Sequence, residues 1–274
     1  MKLGKNVKIA VSGLCIAATL AGAALPTLAV SPAGYTSLSQ IEEMNDAVTP
    51  EQVEALINQI GTVTRNSRQA IVAALNAYNQ LDDAGKEAVS NFSVLAEAQQ
   101  ILGIQDALAK CQVEYDNVED DWTIKSPHYQ TLDKRLTCGM GPWMYVWNNG
   151  ENFSFHESFT YFGTQKMDID TIVLRGGDYK YTYRCDYDNS DYGYDRGLGR
   201  WFAIATFSME DDEIDWLRNL LGAKTVIMRF NGVDYSQTDY TWTAQDRQAV
   251  TDMVNLYDLL KAASPEVRAK ALRG

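Results

Sequence analysis

Only two histidines, His128 and His156, stand anywhere in the chain, and neither is spaced with a cysteine or another histidine as metal ligands are. His156 alternates with Ser154, Ser158 and Thr160, which places it at a solvated strand position. A cysteine nucleophile at Cys138 would need one of those histidines as its base, and the surrounding TCGM fits no cysteine-hydrolase context. Glycoside hydrolysis needs only two facing carboxylates, about 5–10 Å apart, and 36 acidic residues contain many pairs that spacing in sequence cannot single out.

The densest polar stretch is DYDNSDYGYDRG, Asp186 to Gly197. As an EF-hand loop it fails, because Asp191 stands where glycine is required and Gly197 where a bidentate glutamate should be. An irregular calcium site remains an alternative, since oxygen ligands are plentiful; no other cofactor is expected. Tyrosine among Ser, Gly and Asn is the composition of adaptable recognition loops. Asp186, Tyr187, Asp188, Asn189, Asp191, Tyr192, Tyr194 and Asp195 are therefore the expected ligand-binding residues, on a long loop between strands ending at Cys185 and beginning at Trp201. A flexible acidic hairpin tip is the competing reading. A second aromatic set, Trp143, Tyr145 and Trp147, shares one strand face and could stack on sugar rings, but large aromatics at period two more commonly face a sheet core.

The first residues indicate where this chemistry would operate. Lys2, Lys5 and Lys8 precede an uncharged run from Ile9 to Val30, the layout of a secretory signal peptide, with Thr27-Leu28-Ala29 placing cleavage after Ala29. Uncleaved, the same run is long enough to serve as a membrane anchor. Leu14 before Cys15 argues against lipid attachment there. Removing the three lysines from 24 basic residues leaves 21 against 36 acidic, a net of −15, which repels nucleic acid. The expected partner is an extracellular glycan or protein, and the mature chain is not expected to be inserted in a membrane. Three cysteines remain after cleavage. Export permits one disulfide, and Cys111–Cys138 is the preferred pair because Cys185 alternates with Tyr179, Tyr181 and Tyr183 as a small apolar residue.

Residues 30–39 form a polar lead-in, followed by a break in composition. Before Cys111 the aromatic residues are only Tyr35, Tyr78 and Phe92, whereas all six tryptophans follow it. Residues 40–110 read as amphipathic helices. Thr49-Pro50-Glu51-Gln52 supplies a capping box, Asn66 or Ser67 caps a second helix, and Asp82 or Asp83 opens a third. Their stripes predict a small N-terminal helical bundle. Residues 111–274 turn to alternation. Asn149-Gly150, Gly176-Gly177-Asp178 and Asn231-Gly232 mark hairpins, and helices start after Ser208 and Thr243. The expected fold is a helical bundle followed by an α+β domain, one antiparallel sheet covered by two helices.

The segment Val53 to Leu102, through Ile60-Gly61, Val63-Thr64, Ser67, Ala70-Ile71, Ala74, Tyr78, Leu81, Lys86, Val89, Asn91, Leu95 and Ala98, resembles the short helical repeats of secreted and surface proteins of Gram-positive gut bacteria. That resemblance implies a spacer or interaction module and brings no catalytic residue. Residues 224–260 are more weakly similar to uncharacterised exported domains of such bacteria. Taken together, these readings predict a non-enzymatic binding or interaction protein. A secreted glycan hydrolase and a structural scaffold of a surface assembly are the alternatives.

Overall fold

Thr49 opens the first helix, α1 (Pro50–Asn58): its hydroxyl accepts the Gln52 N–H at 3.4 Å while the Gln52 side chain accepts the Thr49 N–H at 3.1 Å. The computed structural model describes residues 48–129, 137–186 and 188–274; the expected signal segment and the polar lead-in lie outside them. A short 3₁₀ turn, Arg65–Ser67, leads into α2 (Arg68–Gln80). The side-chain cap there comes from Thr64 rather than from Asn66 or Ser67. Asp82 caps α3 (Asp83–Ala88) through the Gly85 N–H at 2.7 Å, and α4 (Phe92–Leu108) follows Asn91.

These helices do not make the bundle that their stripes predicted. Helix α4 has two apolar sides. Leu95, Ala98 and Leu102 pack with Val53, Ile57, Ile71 and Ala74 of α1 and α2. Ile101, Ile104 and Leu108 belong instead to the main core, where α4 lies against α6 (Ala244–Ala262) and α7 (Pro265–Arg273). A helix apolar on both sides must be covered on both. The described residues from 48 onward accordingly fold as one compact unit.

The single sheet is also corrected, to two antiparallel sheets. Ten strands run in chain order: β1 (Gln112–Asp116), β2 (Asp121–Lys125), β3 (Gly139–Trp147), β4 (Asn152–Gly163), β5 (Ile169–Gly176), β6 (Tyr179–Arg184), β7 (Ser190–Asp195), β8 (Arg200–Met209), β9 (Val226–Gly232) and β10 (Gln237–Thr241). The six-stranded sheet has the order β1-β2-β3-β4-β8-β7 and the four-stranded sheet β10-β9-β5-β6. Strand β4 shows why one layer of helices was not enough. Its inward Phe159 and Tyr161 meet Tyr183 of β6 and Phe230 of β9, ring centroids 5.0 and 6.0 Å apart. Farther along the same face, Phe153 and Phe155 meet Tyr257 of α6 at 5.6 and 6.0 Å. One face of the large sheet is thus covered partly by the small sheet and partly by helices.

Two boundaries move. Ser208 does not cap α5 (Asp211–Leu221): it stays in β8 opposite His156, because alternation continues to buried Met209, and Glu210 takes the cap position. The third hairpin turns at residues 233–236, with Tyr235 at φ 65°, rather than at Asn231-Gly232, which still pair with Gln237 and with β5. Among the described residues no helix is long and apolar enough to cross a membrane.

Candidate functional site

The β3–β4 hairpin decides what the large sheet presents to solvent. On β3, Met140, Met144 and Val146 are buried, so the opposite parity, Trp143, Tyr145 and Trp147, points out. This overturns the expectation that the tryptophan ladder faces the core. Trp143 stacks on His156, its cross-strand neighbour, with centroids 4.2 Å apart and planes 15° apart. Tyr145 stacks on Trp147 at 5.5 Å and 21°. The same face holds a polar row: Trp143 Nε1 donates to Ser158 Oγ at 3.1 Å, which contacts Thr206 Oγ1 at 2.9 Å, and Ser154 Oγ lies 2.7 Å from His156 Nε2.

Beside the aromatic row stands the β1–β2 hairpin, an element absent from the sequence reading. Asp116 shapes its turn by accepting the Val118 and Glu119 N–H groups, and Asp120 takes φ 58°. Asp121, buried, accepts a hydrogen bond from the Tyr145 hydroxyl. That bond, burial and the Asp121 charge all push the Tyr145 phenol above its ordinary pKa. Between the hairpins lies a cleft of about 420 Å³ walled by Glu119, Asp121, Tyr145, Trp147, Asn148, Ser154 and His156. It continues past Tyr145 into a second, of about 540 Å³, bounded by Glu114, Asp116, Asn117 and Thr123.

Helix α7, also unread in the sequence, holds both walls. Arg268 is buried and donates to four carbonyls: Gly150 at 2.6 Å and Glu151 at 2.7 Å in the β3–β4 turn, and Leu260 at 3.0 Å and Ala263 at 2.8 Å at the end of α6. Arg273 grips Asp120 with two bonds of 3.0 Å and Asn149 Oδ1 with another of 3.0 Å. Asn148, Asn149 and Gly150 all have positive φ, the tight-turn geometry that their sequence announced. The two arginines fasten both turns to one helix, so the cleft is prearranged rather than left on mobile tips.

Several chemistries can be judged against this geometry. Burial lowers the His156 pKa, so its ring is neutral near pH 7. The Ser154–His156 contact brings a hydroxyl to a base, but among the described contacts no carboxylate orients the other ring nitrogen. In the smaller cleft the lining carboxylates, Glu119 and Asp121, both come from the β1–β2 hairpin, whereas Asn148, Ser154 and His156 come from the β3–β4 hairpin beside it in the same sheet. That is not the opposed pair of a glycosidase. Among the described residues no group of three or more His, Cys, Asp or Glu side chains is placed to hold a metal ion.

The residues singled out between Asp186 and Asp195 lie elsewhere, at the far edge of the same sheet. The expected long loop is shortened by strand β7, which pairs with β8 from Ser190 to Asp195. Asp186 accepts the Asp188 and Asn189 N–H groups, both at 3.1 Å, Asn189 accepts the Asp186 N–H at 3.0 Å, and Asp191 accepts the Tyr192 N–H at 2.7 Å. Asp195 accepts the Leu198 N–H at 2.9 Å. Asp186, Asn189 and Asp195 shape turns and Asp191 bonds within β7; among the described residues they form no group placed to hold a metal ion. Tyr192 is exposed under Lys166, 4.6 Å away, and Tyr194 rests on Trp201 at 5.0 Å; Tyr187 lies outside the described residues.

The expected Cys111–Cys138 bridge is not formed, and no disulfide joins any two of Cys111, Cys138 and Cys185. Cys111 follows α4 and contacts the Ala107 carbonyl and Met253, while Cys138 enters β3 against Phe162. The cores of two different elements hold them.

Comparison of the chain with protein-family models, with curated proteins and with solved structures gave no match.

Proposed function

We propose that the chain is an exported binding module that takes a glycan on the open face of its six-stranded sheet, with Tyr145 and Trp147 as the stacking platform. The observation that carries this reading is the outward, mutually stacked pair of rings beside a preformed cleft. Aromatic rings are the largest apolar groups a strand can bury, yet on this strand it is Met144 and Val146 that are buried. Rings held in solvent between polar walls offer a flat apolar face with hydrogen-bonding neighbours, which matches the two sides of a pyranose ring. Asn148 and Ser154 supply donors and acceptors at its rim. The signal-like leader supports a place outside the cell, where such ligands occur.

A purely binding role is favoured over hydrolysis by the one-sided placement of the carboxylates in the smaller cleft. The test is a thermal-melt panel of soluble oligosaccharides against the wild type and Trp147→Ala. A rise in melting temperature in the wild type alone supports the reading. Release of reducing sugar during the same incubation would replace it with the hydrolase.

A further inference from the structure

Asp121 is 7% exposed as a whole residue, although it lines both clefts. Carboxylates so buried ordinarily have a cationic partner, because desolvation costs several kcal/mol per ion. Its described partner is instead the neutral Tyr145 hydroxyl. Arg273 of α7, which reaches this turn, is bonded to Asp120. Lys125 on the same face is committed to Glu114, at 2.9 and 3.0 Å, leaving Asp116, Glu119 and Asp121 without a lysine or arginine among the described ion pairs. No lysine or arginine lines either cleft among the described residues, and His156 is neutral.

We propose that the ligand supplies the missing charge: a saccharide bearing a protonated primary amine, of the 2-amino-2-deoxyhexose type, whose ammonium sits between Asp121 and Glu119. The inference rests on the glycan reading above and narrows it. Both halves of the cleft suit such a sugar. Ring faces attract cations through their quadrupole, and a carboxylate adds a charge-assisted hydrogen bond. The apolar face of the pyranose would lie on Tyr145 and Trp147 while its amine reaches the acidic wall. Acetylation of the amine removes both attractions, and a uronic acid would meet like charge.

The experiment is titration calorimetry at low salt on the full secreted protein, with the glucosamine tetrasaccharide and its fully N-acetylated counterpart. The free-amine sugar should bind at least about tenfold more tightly, as one desolvated charge contact allows. Asp121→Asn, which keeps an acceptor for Tyr145, should remove the preference and bring the two affinities together. Glu119→Gln, at an exposed position, gives the same reading with smaller effect should Asp121→Asn fail to fold. Equal affinity of the wild type for both sugars would overturn the amine assignment and leave glycan binding standing. Binding of neither would overturn both. Binding of spermine, a polyamine without sugar rings, as tightly as the aminosugar would overturn the saccharide part.

Discussion

Replacing Arg268 by methionine keeps the aliphatic stem over Phe153, which the guanidinium now overlies at 5.1 Å, and deletes the charged donor. Four carbonyls lose their partner, those of Gly150, Glu151, Leu260 and Ala263. Hydrogen bonds to a charged group contribute about 1.5–3 kcal/mol each when buried, but Glu151 is exposed and its carbonyl can turn to water. The Leu260 and Ala263 carbonyls belong to the last turn of α6, where a cation adds a further 0.3–1 kcal/mol, roughly, against the helix dipole. Taking the lower end of both ranges for the three carbonyls that water cannot easily reach, the loss comes to about 5 kcal/mol. For a unit of this size it should lower the melting temperature by roughly 10–20 °C. Chemical denaturation followed by far-ultraviolet circular dichroism measures it. Because Arg268 also fastens the turn that carries Asn148, the destabilised variant should bind glycan more weakly at temperatures where it is still folded. A loss under about 1 kcal/mol would refute the idea that this arginine joins hairpin to helices, since that is the size of an ordinary surface change.

Burial pushes the Cys111 thiol up to about 11 and Cys185 to about 12, so both should react slowly with iodoacetamide at mildly alkaline pH in the native protein; labelling of either as fast as after unfolding would contradict their burial. Tyr181 is raised to about 12, chiefly by its hydrogen bond to Glu213, while Tyr183 and Tyr257 are raised mainly by burial. Folded values above the unfolded one mean that their contribution is whole below about pH 10 and lost as pH climbs through the folded values. Phenolate absorbance at about pH 11 should then be lower in the native protein than in guanidinium, and superimposed titration curves would refute the burial of these rings.

What could be read in advance was local. The capping box at Thr49, the helix start at Thr243 and the tight turn at Asn149-Gly150 are set by residues within four positions of one another, and all three are present. The ladder of Trp143, Tyr145 and Trp147 was legible as a set but not in direction. Its alternate residues, Met144 and Val146, are also apolar, so period two marks two greasy faces and only packing against α6 decides which is inside. Strand β1 escaped notice because all five of its residues are exposed, which leaves no alternation to see. Likewise α4 was read as one stripe of a bundle because its second stripe is satisfied by helices more than 130 positions away. Asp121 carried no signal among 36 acidic residues; its withdrawal from water exists only once β2, β3 and Tyr145 are brought together.

The central claim is that the outward rings of β3 bind a glycan, and calorimetric titration of wild type, Trp147→Ala and Lys180→Ala with the glucosamine and N-acetylglucosamine tetrasaccharides addresses it most directly. Lys180 lies on the outer face of the other sheet and serves as the control. The account predicts that Trp147→Ala weakens saccharide binding by about 30-fold or more, the scale of an aromatic hot spot, while Lys180→Ala binds as the wild type does. Saccharide binding that survives unchanged in Trp147→Ala would contradict it.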